Sequence, residues 1–286
     1  MIQKRVLVAG ATGYLGGYVV KELKKRGYWV RVLIRKPSQK QVFQSVDEFF
    51  IGEIVKPETI VGITENIDWV FSSIGITRQK DGLTYQDVDY QGNLNLLKEA
   101  LKTGVEVFQY ISAINGDRLR HLKIFEAKEK FVDELKSSSL NYSIVRPNGF
   151  FSDMEDFLKM AKEGRMFLFG DGTLALNPIH GEDLAKVCVD NMENKVMEET
   201  VGGPEIFSHN ELATLALKAW KKPVKIMYLS DCIRKAIIFL LRTFTSSKTY
   251  GPIEFFLTIM GMDNIATPYG NHRLADFFYD RVHGKE

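Results

Sequence analysis

The stretch Val6-Leu7-Val8-Ala9-Gly10-Ala11-Thr12-Gly13-Tyr14-Leu15-Gly16-Gly17 constrains the fold more than any other part of the chain. An apolar run of strand length leads into glycines spaced three apart, and these lead into an amphipathic, helix-like segment. In such a turn Gly10 permits the tight bend, Gly13 lets a pyrophosphate approach the backbone, and Gly16 lets the helix pack closely on the strand. The exposed amides and the positive end of the helix dipole then hold phosphate.

Beyond this turn, short apolar runs alternate with longer amphipathic segments. Strands are predicted at Arg5–Ala9, Trp29–Ile34, Glu48–Ile51, Trp69–Ile74, Val107–Ile111 and Tyr142–Val145. Helices are predicted at Tyr14–Lys25, Pro57–Thr64, Val88–Lys102 and Leu122–Ser137. Such βαβ alternation needs crossovers, and crossovers give a parallel sheet covered by helices on both faces. The expected fold is therefore α/β, a Rossmann-type doubly wound parallel sheet. After Arg146-Pro147 helical segments dominate, at Asp153–Lys162, Glu182–Glu193, Asn210–Trp220 and Asp231–Thr243. Residues 1–150 are expected to form the nucleotide-binding domain and 151–286 a smaller, mainly helical substrate or lid region. The segment 176–194 is a candidate to return to the first domain.

With 286 residues, 45% of them hydrophobic, the chain can bury a core without disulfides or metal. Its 38 basic and 36 acidic residues leave a net charge of +2, with no block of one sign, so nucleic acid is not an expected partner. Cys188 and Cys232 lack the paired spacing of zinc sites, and no metal is expected. The apolar stretch after Met1-Ile2-Gln3-Lys4-Arg5 ends at Thr12-Gly13, too early for a signal-peptide core, so a cytoplasmic location is expected. Ala236–Leu241 is apolar but bracketed by Arg234, Lys235 and Arg242, and a bilayer span needs about 20 apolar residues, so no transmembrane segment is expected.

The G-x-x-G-x-x-G spacing resembles the short-chain dehydrogenase/reductase superfamily. Val30–Pro37, Gly52-Glu53-Ile54, Ser139–Pro147, Phe169-Gly170-Asp171-Gly172 and Asn177–Ala185 extend the likeness. Together they resemble its atypical branch of NmrA-like, isoflavone-reductase-like and divinyl-chlorophyllide-reductase-like proteins. The resemblance implies a dinucleotide held by Gly10, Thr12, Gly13, Tyr14, Leu15 and Gly16, with Glu53 and Ile54 at the adenine. Ser73, Ile74 and Gly75 would line its middle, and Pro147, Asn148, Gly149 and Phe150 would approach the nicotinamide. Where an NAD-selective site places an acid, at the end of the second strand, this chain has Arg35 and Lys36. A guanidinium pairs with a 2′-phosphate, so NADP(H) is the preferred cofactor, with NAD(H) open.

Typical members of the superfamily use a serine with a Tyr-x-x-x-Lys pair. Ser112 matches the serine and Lys128 the lysine, but Ile124 stands at the tyrosine position and cannot exchange a proton. Lys128 is the candidate catalytic residue and a candidate ribose contact, and the resemblance implies that Ser112 also contacts the cofactor. Desolvation and an oxidised nicotinamide would lower its pKa. Tyr85, Tyr110, His121 and His180 are weaker candidates for the proton. No H-E-x-x-H pair, G-x-S-x-G elbow or P-loop lysine is present.

The aromatic and thioether residues Phe150, Phe151, Met154, Phe157, Met160, Met166, Phe167 and Phe169 form either an apolar substrate pocket or the core of the smaller domain. Ile233–Leu241 and Phe255–Met262 could be lid, membrane-surface contact or dimer face. The favoured function is an NADP(H)-dependent reductase of an activated C=C or C=O in a small apolar or conjugated substrate. The alternative is an NmrA-like NADP(H)-binding sensor, regulatory or assembly protein without turnover, and the oligomeric state stays open.

Overall fold

The computed structural model describes residues 3–77, 79 and 82–284, so Met1 and Ile2 of the basic N-terminal stretch lie outside it. The chain divides into two compact units, Met1–Arg146 with Leu184–Glu199, and Pro147–Asp183 with Thr200–Glu286.

The first unit is built on β1 (Arg5–Ala9), β2 (Trp29–Ile34), β3 (Glu48–Ile51), β4 (Trp69–Ser72), β5 (Val107–Ile111) and β6 (Asn141–Pro147). Their order is β3-β2-β1-β4-β5-β6, and each neighbouring pair is parallel. The central strands β4 and β5 are buried along their whole length, as expected of strands covered on both faces. Helices α1 (Tyr14–Lys25), α2 (Asn93–Thr103) and α3 (Lys123–Lys136) supply that cover. In α1 the buried residues Leu15, Val19 and Leu23 recur every four positions, one face of a helix. In α3 the buried face is Ile124, Phe125, Ala127, Phe131, Val132 and Leu135.

Three elements of the first unit differ most from the sequence reading. The helix predicted at Pro57–Thr64 is a single 3-10 turn, Pro57–Thr59, because Thr59 Oγ1 bonds the Glu53 amide and the Glu53 and Lys56 carbonyls, closing the segment on itself. Strand β4 stops at Ser72, short of Ile74. The helix predicted at Val88–Lys102 is entered through a π-helical turn, Gln86–Gly92, before α2 begins.

In the second unit β7 (Met166–Phe169) pairs in parallel with β11 (Ile226–Leu229), and β8 (Ala175–Leu176) pairs antiparallel with β10 (Phe207–Ser208). Strand β9 (Glu198–Gly202), which runs from one unit into the other, and β12 (Thr267–Pro268) extend the large sheet to eight strands. The helices are α4 (Glu155–Lys162), α5 (Gly181–Asn194), α6 (His209–Ala219), α7 (Asp231–Phe244), α8 (Ser247–Ile259) and α9 (Leu274–His283); from Leu184 onward α5 belongs to the first unit. Phe151, Met154, Phe157 and Met166 join Leu212 and Phe278 in this unit's core, whereas Phe167 is exposed. With Met160 packed against that core, five of the eight apolar residues that sequence left between pocket and core belong to it.

Candidate active site

The strand order of the first unit reverses between β1 and β4, and the carboxyl ends of those strands are where an open parallel sheet binds ligands. The glycine turn follows β1 at this point. Gly10 has φ +89°, a left-handed conformation that L side chains rarely adopt. A Cβ on Gly16 would come within 2.1 Å of the Gly10 carbonyl oxygen, so the helix can lie this close to the turn only with glycine there. The Gly13 amide donates to the Gly10 carbonyl at 2.9 Å, which folds the turn back under α1. Thr12 and Gly13 are exposed, and the first turn of α1 carries no acid to oppose an anion. These features fit a dinucleotide phosphate.

Arg35 and Lys36 follow β2, and both are exposed. Among the described residues neither side chain makes an ion pair. Their amides both donate to Gln39 Oε1, at 2.8 and 3.0 Å, so a side chain that sequence reading passed over shapes the loop carrying the two cations. Glu53, after β3, is half-buried and pairs with Lys56 at 3.0 Å, while the Ile54 carbonyl accepts from Asn95 at 2.7 Å. Ser73 and Ile74 follow β4 beside Gly10, and a Cβ on Gly10 would come within 2.7 Å of Ser73 Oγ.

Lys128 reaches from α3 to Asp89 in the π-helical turn, Nζ to Oδ1 3.0 Å, with Asp89 wholly buried and the lysine side chain 13% exposed. A Cβ on Gly75 would fall 2.6 Å from Asp89 Oδ1 and 2.7 Å from Lys128 Nζ, so the backbone after β4 lies directly on the pair. The Tyr110 ring lies 5.5 Å from Nζ, and Tyr85 is buried with its hydroxyl donating to the Thr77 carbonyl at 2.9 Å. Burial pulls the Lys128 pKa down, but Tyr110 and Asp89 outweigh it and hold the ammonium above its ordinary value. This corrects the expectation of a lowered pKa, because the buried acid was not foreseen. Asp89 had a signal in the sequence: with Asn93 it interrupts the apolar stripe that continues through Leu96 and Ala100.

The hydroxyl of Ser112, a candidate cofactor contact, is engaged by the protein itself. It donates to Glu129 Oε1 at 2.6 Å, inside a buried cluster in which Arg146 binds both oxygens of Glu129, at 2.6 and 2.8 Å. Arg146 also bonds Glu198 at 2.6 Å. Serine and arginine here fasten β5, β6 and α3 together. Ile124 is buried in the first turn of α3, which leaves the usual proton donor's position filled with hydrocarbon.

Pro147, Asn148, Gly149 and Phe150 begin the second unit. The Asn148 amide donates to Asn177 Oδ1 at 2.8 Å and to the Asn264 carbonyl, so its side chain is committed to a buried amide network. The Phe150 amide donates to Asp153 at 2.9 Å. His180 stacks on His272, ring centroids 4.0 Å apart, and His272 Nδ1 lies 2.9 Å from Asp183. Glu182 lies close by, and one ligand atom from each of His180, Glu182 and His272 falls within 4.8 Å of the others.

Residues 10–195 match the NAD(P)H-binding family. The chain belongs to that family. It is 33% identical over 226 residues to the chloroplastic divinyl chlorophyllide a 8-vinyl-reductase of Arabidopsis thaliana, an alignment covering 70% of this chain and 53% of that protein. It is 30% identical over 151 residues to the photosystem II assembly factor Ycf39 of Synechocystis, covering 52% and 46%. The chain thus spans about half the length of these two relatives. Among solved structures, the NADPH-dependent quinone oxidoreductase QOR2 of Escherichia coli with NADPH aligns over 98% of this chain and 99% of its own, with TM-score 0.69 and 16% identity. At that identity the likeness concerns the fold. The described residues include no helix long and apolar enough to cross a membrane.

Proposed function

We propose that this NAD(P)H-binding protein is an NADPH-dependent reductase of an activated C=C or C=O in a small apolar or conjugated substrate. The observation that carries the reading is the Lys128–Asp89 pair, buried against Gly75 at the same sheet end as the glycine turn. Gly10, Thr12, Gly13, Tyr14, Leu15 and Gly16 would hold the pyrophosphate through their backbone. Arg35 and Lys36 would take the 2′-phosphate, Glu53 and Ile54 the adenine side, and Ser73, Ile74 and Gly75 the middle of the nucleotide. When bound, the nicotinamide would supply the hydride. Lys128 would hold the ribose and donate a proton from Nζ to the second atom of the reduced bond, with Asp89 fixing the ammonium in place. Ser112, engaged by Glu129, is left out of this set. The vinyl reductase among the relatives supports the C=C class, and the free cysteines support a cytoplasmic location.

A second reading, a nucleotide-binding assembly or sensor protein without turnover, is favoured by the buried Ile124 and by the likeness to Ycf39. Calorimetry with NADPH and NADH, followed by nicotinamide oxidation against enones, quinones and aldehydes, separates the two. The reductase reading expects NADPH to bind at least about tenfold tighter than NADH, a preference lost in Arg35→Ser. It expects turnover that Lys128→Met removes. NADPH binding without turnover would establish the second reading, and failure to bind either nucleotide would overturn both.

A further inference from the structure

Packing alone does not account for Tyr110. Its side chain on β5 is wholly buried, and its ring meets that of Phe131 edge-on, centroids 4.7 Å apart. The hydroxyl is buried too, and among the described residues it finds no hydrogen-bonding neighbour other than the Lys128 ammonium, whose Nζ stands 5.5 Å from the ring centroid. A phenylalanine would fill the same space on Phe131 without a buried hydroxyl proton that has no acceptor. Burial pushes the Tyr110 phenol up by more than Lys128 pulls it down, so the group stays neutral and its oxygen is free to accept.

Asp89 meets the same ammonium from the π-helical turn, Nζ to Oδ1 3.0 Å, so two buried oxygens from two separate elements stand against one lysine. The other polar groups of this region are engaged elsewhere. Tyr85 donates to the Thr77 carbonyl at 2.9 Å, Glu129 is taken by Arg146 and Ser112, and Ile124, one turn before Lys128 on α3, offers only hydrocarbon. An ammonium has three protons. With Asp89 and Tyr110 accepting two, the third is left for the side on which Lys128 keeps its 13% exposure, where the Gly75 backbone borders the pair. We propose that Tyr110 is a positioning residue for Lys128: its phenolic oxygen accepts from Nζ and, with Asp89, aims the remaining N–H at the bound nucleotide and substrate. Tyr110 is wholly buried, so it acts through the lysine and not on the substrate itself. The target of the aimed N–H rests on the reductase reading, whereas the hold on the ammonium does not.

Proton–nitrogen correlation spectra of the full chain, with and without NADPH, test both parts. A buried, hydrogen-bonded ammonium exchanges its protons slowly with water, so Lys128 should give a resolved signal that Lys128→Met removes and that shows a nuclear Overhauser effect to the Tyr110 ring protons. In Tyr110→Phe the ammonium protons should exchange at least about tenfold faster, since one charge-assisted bond is lost. The thermal midpoint of that variant should hold, because the ring still packs on Phe131. With an enone or quinone that the native chain reduces, kcat of Tyr110→Phe should fall at least about tenfold while the KM for NADPH stays within about twofold. A purely structural tyrosine would move the midpoint and leave the ammonium signal alone. An unchanged signal or an unchanged kcat in the folded variant would overturn the proposal; should the variant lose structure, absence of the Overhauser contact in the native chain would overturn it as well. Faster exchange in Tyr110→Phe, in a chain that oxidises NADPH with none of the substrates, would leave Tyr110 holding Lys128 and overturn the reductase reading instead.

Discussion

Helices α3 and α7 have the same length, fourteen residues, and both combine an apolar stripe with several basic side chains, yet they are buried to different degrees. In α3 Phe125, Phe131 and Leu135 face the sheet, and the two charged side chains that also turn inward, Lys128 and Glu129, each meet a buried partner. In α7 Arg234 is turned inward and the phenylalanines face out. Periodicity thus defines a stripe, while the neighbour decides which side of the helix is inside. Where a helix lies on a completed sheet, the apolar stripe has a surface to cover. Where it lies on a partner helix, as α7 lies on α8 through Arg234 and Arg242, Ile237, Ile238 and Leu241 are only half-buried and Ile233, Phe239, Leu240 and Phe244 stay exposed.

Paired phenylalanine substitutions test this contrast with the largest effect. Phe131→Ala should lower the unfolding free energy by about 3–5 kcal/mol, because it opens a cavity beneath α3. Phe239→Ala should stay within about 0.5 kcal/mol, since its side chain already faces solvent. Denaturant titration of both variants measures the difference, and equal losses would break the comparison. Glu129→Ala should cost about 3 kcal/mol in the same titration, because it leaves the buried Arg146 guanidinium without its bidentate partner.

A smaller effect concerns acid. Burial pushes the Glu198 carboxyl up, but hydrogen bonds from Lys136 of α3 and from Arg146 outweigh it and hold its pKa below the ordinary 4.5. An acid whose folded pKa lies below its unfolded one stabilises fully above the unfolded value and loses that contribution as pH falls through the folded value. The stability difference between the native chain and Glu198→Gln should therefore be constant above about pH 5.5 and shrink below about pH 4.5. A difference that persists unchanged to pH 3 would remove Glu198 from the ties that hold α3.

Much of the first unit was legible because its signals are local. Strands β1, β2, β3 and β5 and helix α1 begin and end where alternating apolar runs meet glycine, proline or charged residues. The roles of Gly10 and Gly16 also followed from spacing, since a positive φ and a close helix approach are demands that only glycine meets. The Lys128 cluster was only half legible. The lysine could be picked out by its place in α3, but Asp89 comes from a π-helical turn far off in sequence, and the pairing reversed the expected direction of the lysine's pKa. Ser112 shows the same limit. Its position after β5 could be read, whereas the direction of its hydroxyl was settled by Glu129, seventeen residues along and one helix away.

The sequence by itself determined the parallel α/β unit, the glycine turn and the two cations after β2, because each depends on residues adjacent in the chain. Tertiary structure decided what the buried polar groups do: which acid holds Lys128, which arginine closes on Glu129, and that α7 turns its arginine inward and its phenylalanines out. Those outcomes depend on long-range pairing of charge in a low-dielectric interior, where a partner contributed by another element outweighs the local preference of the residue itself.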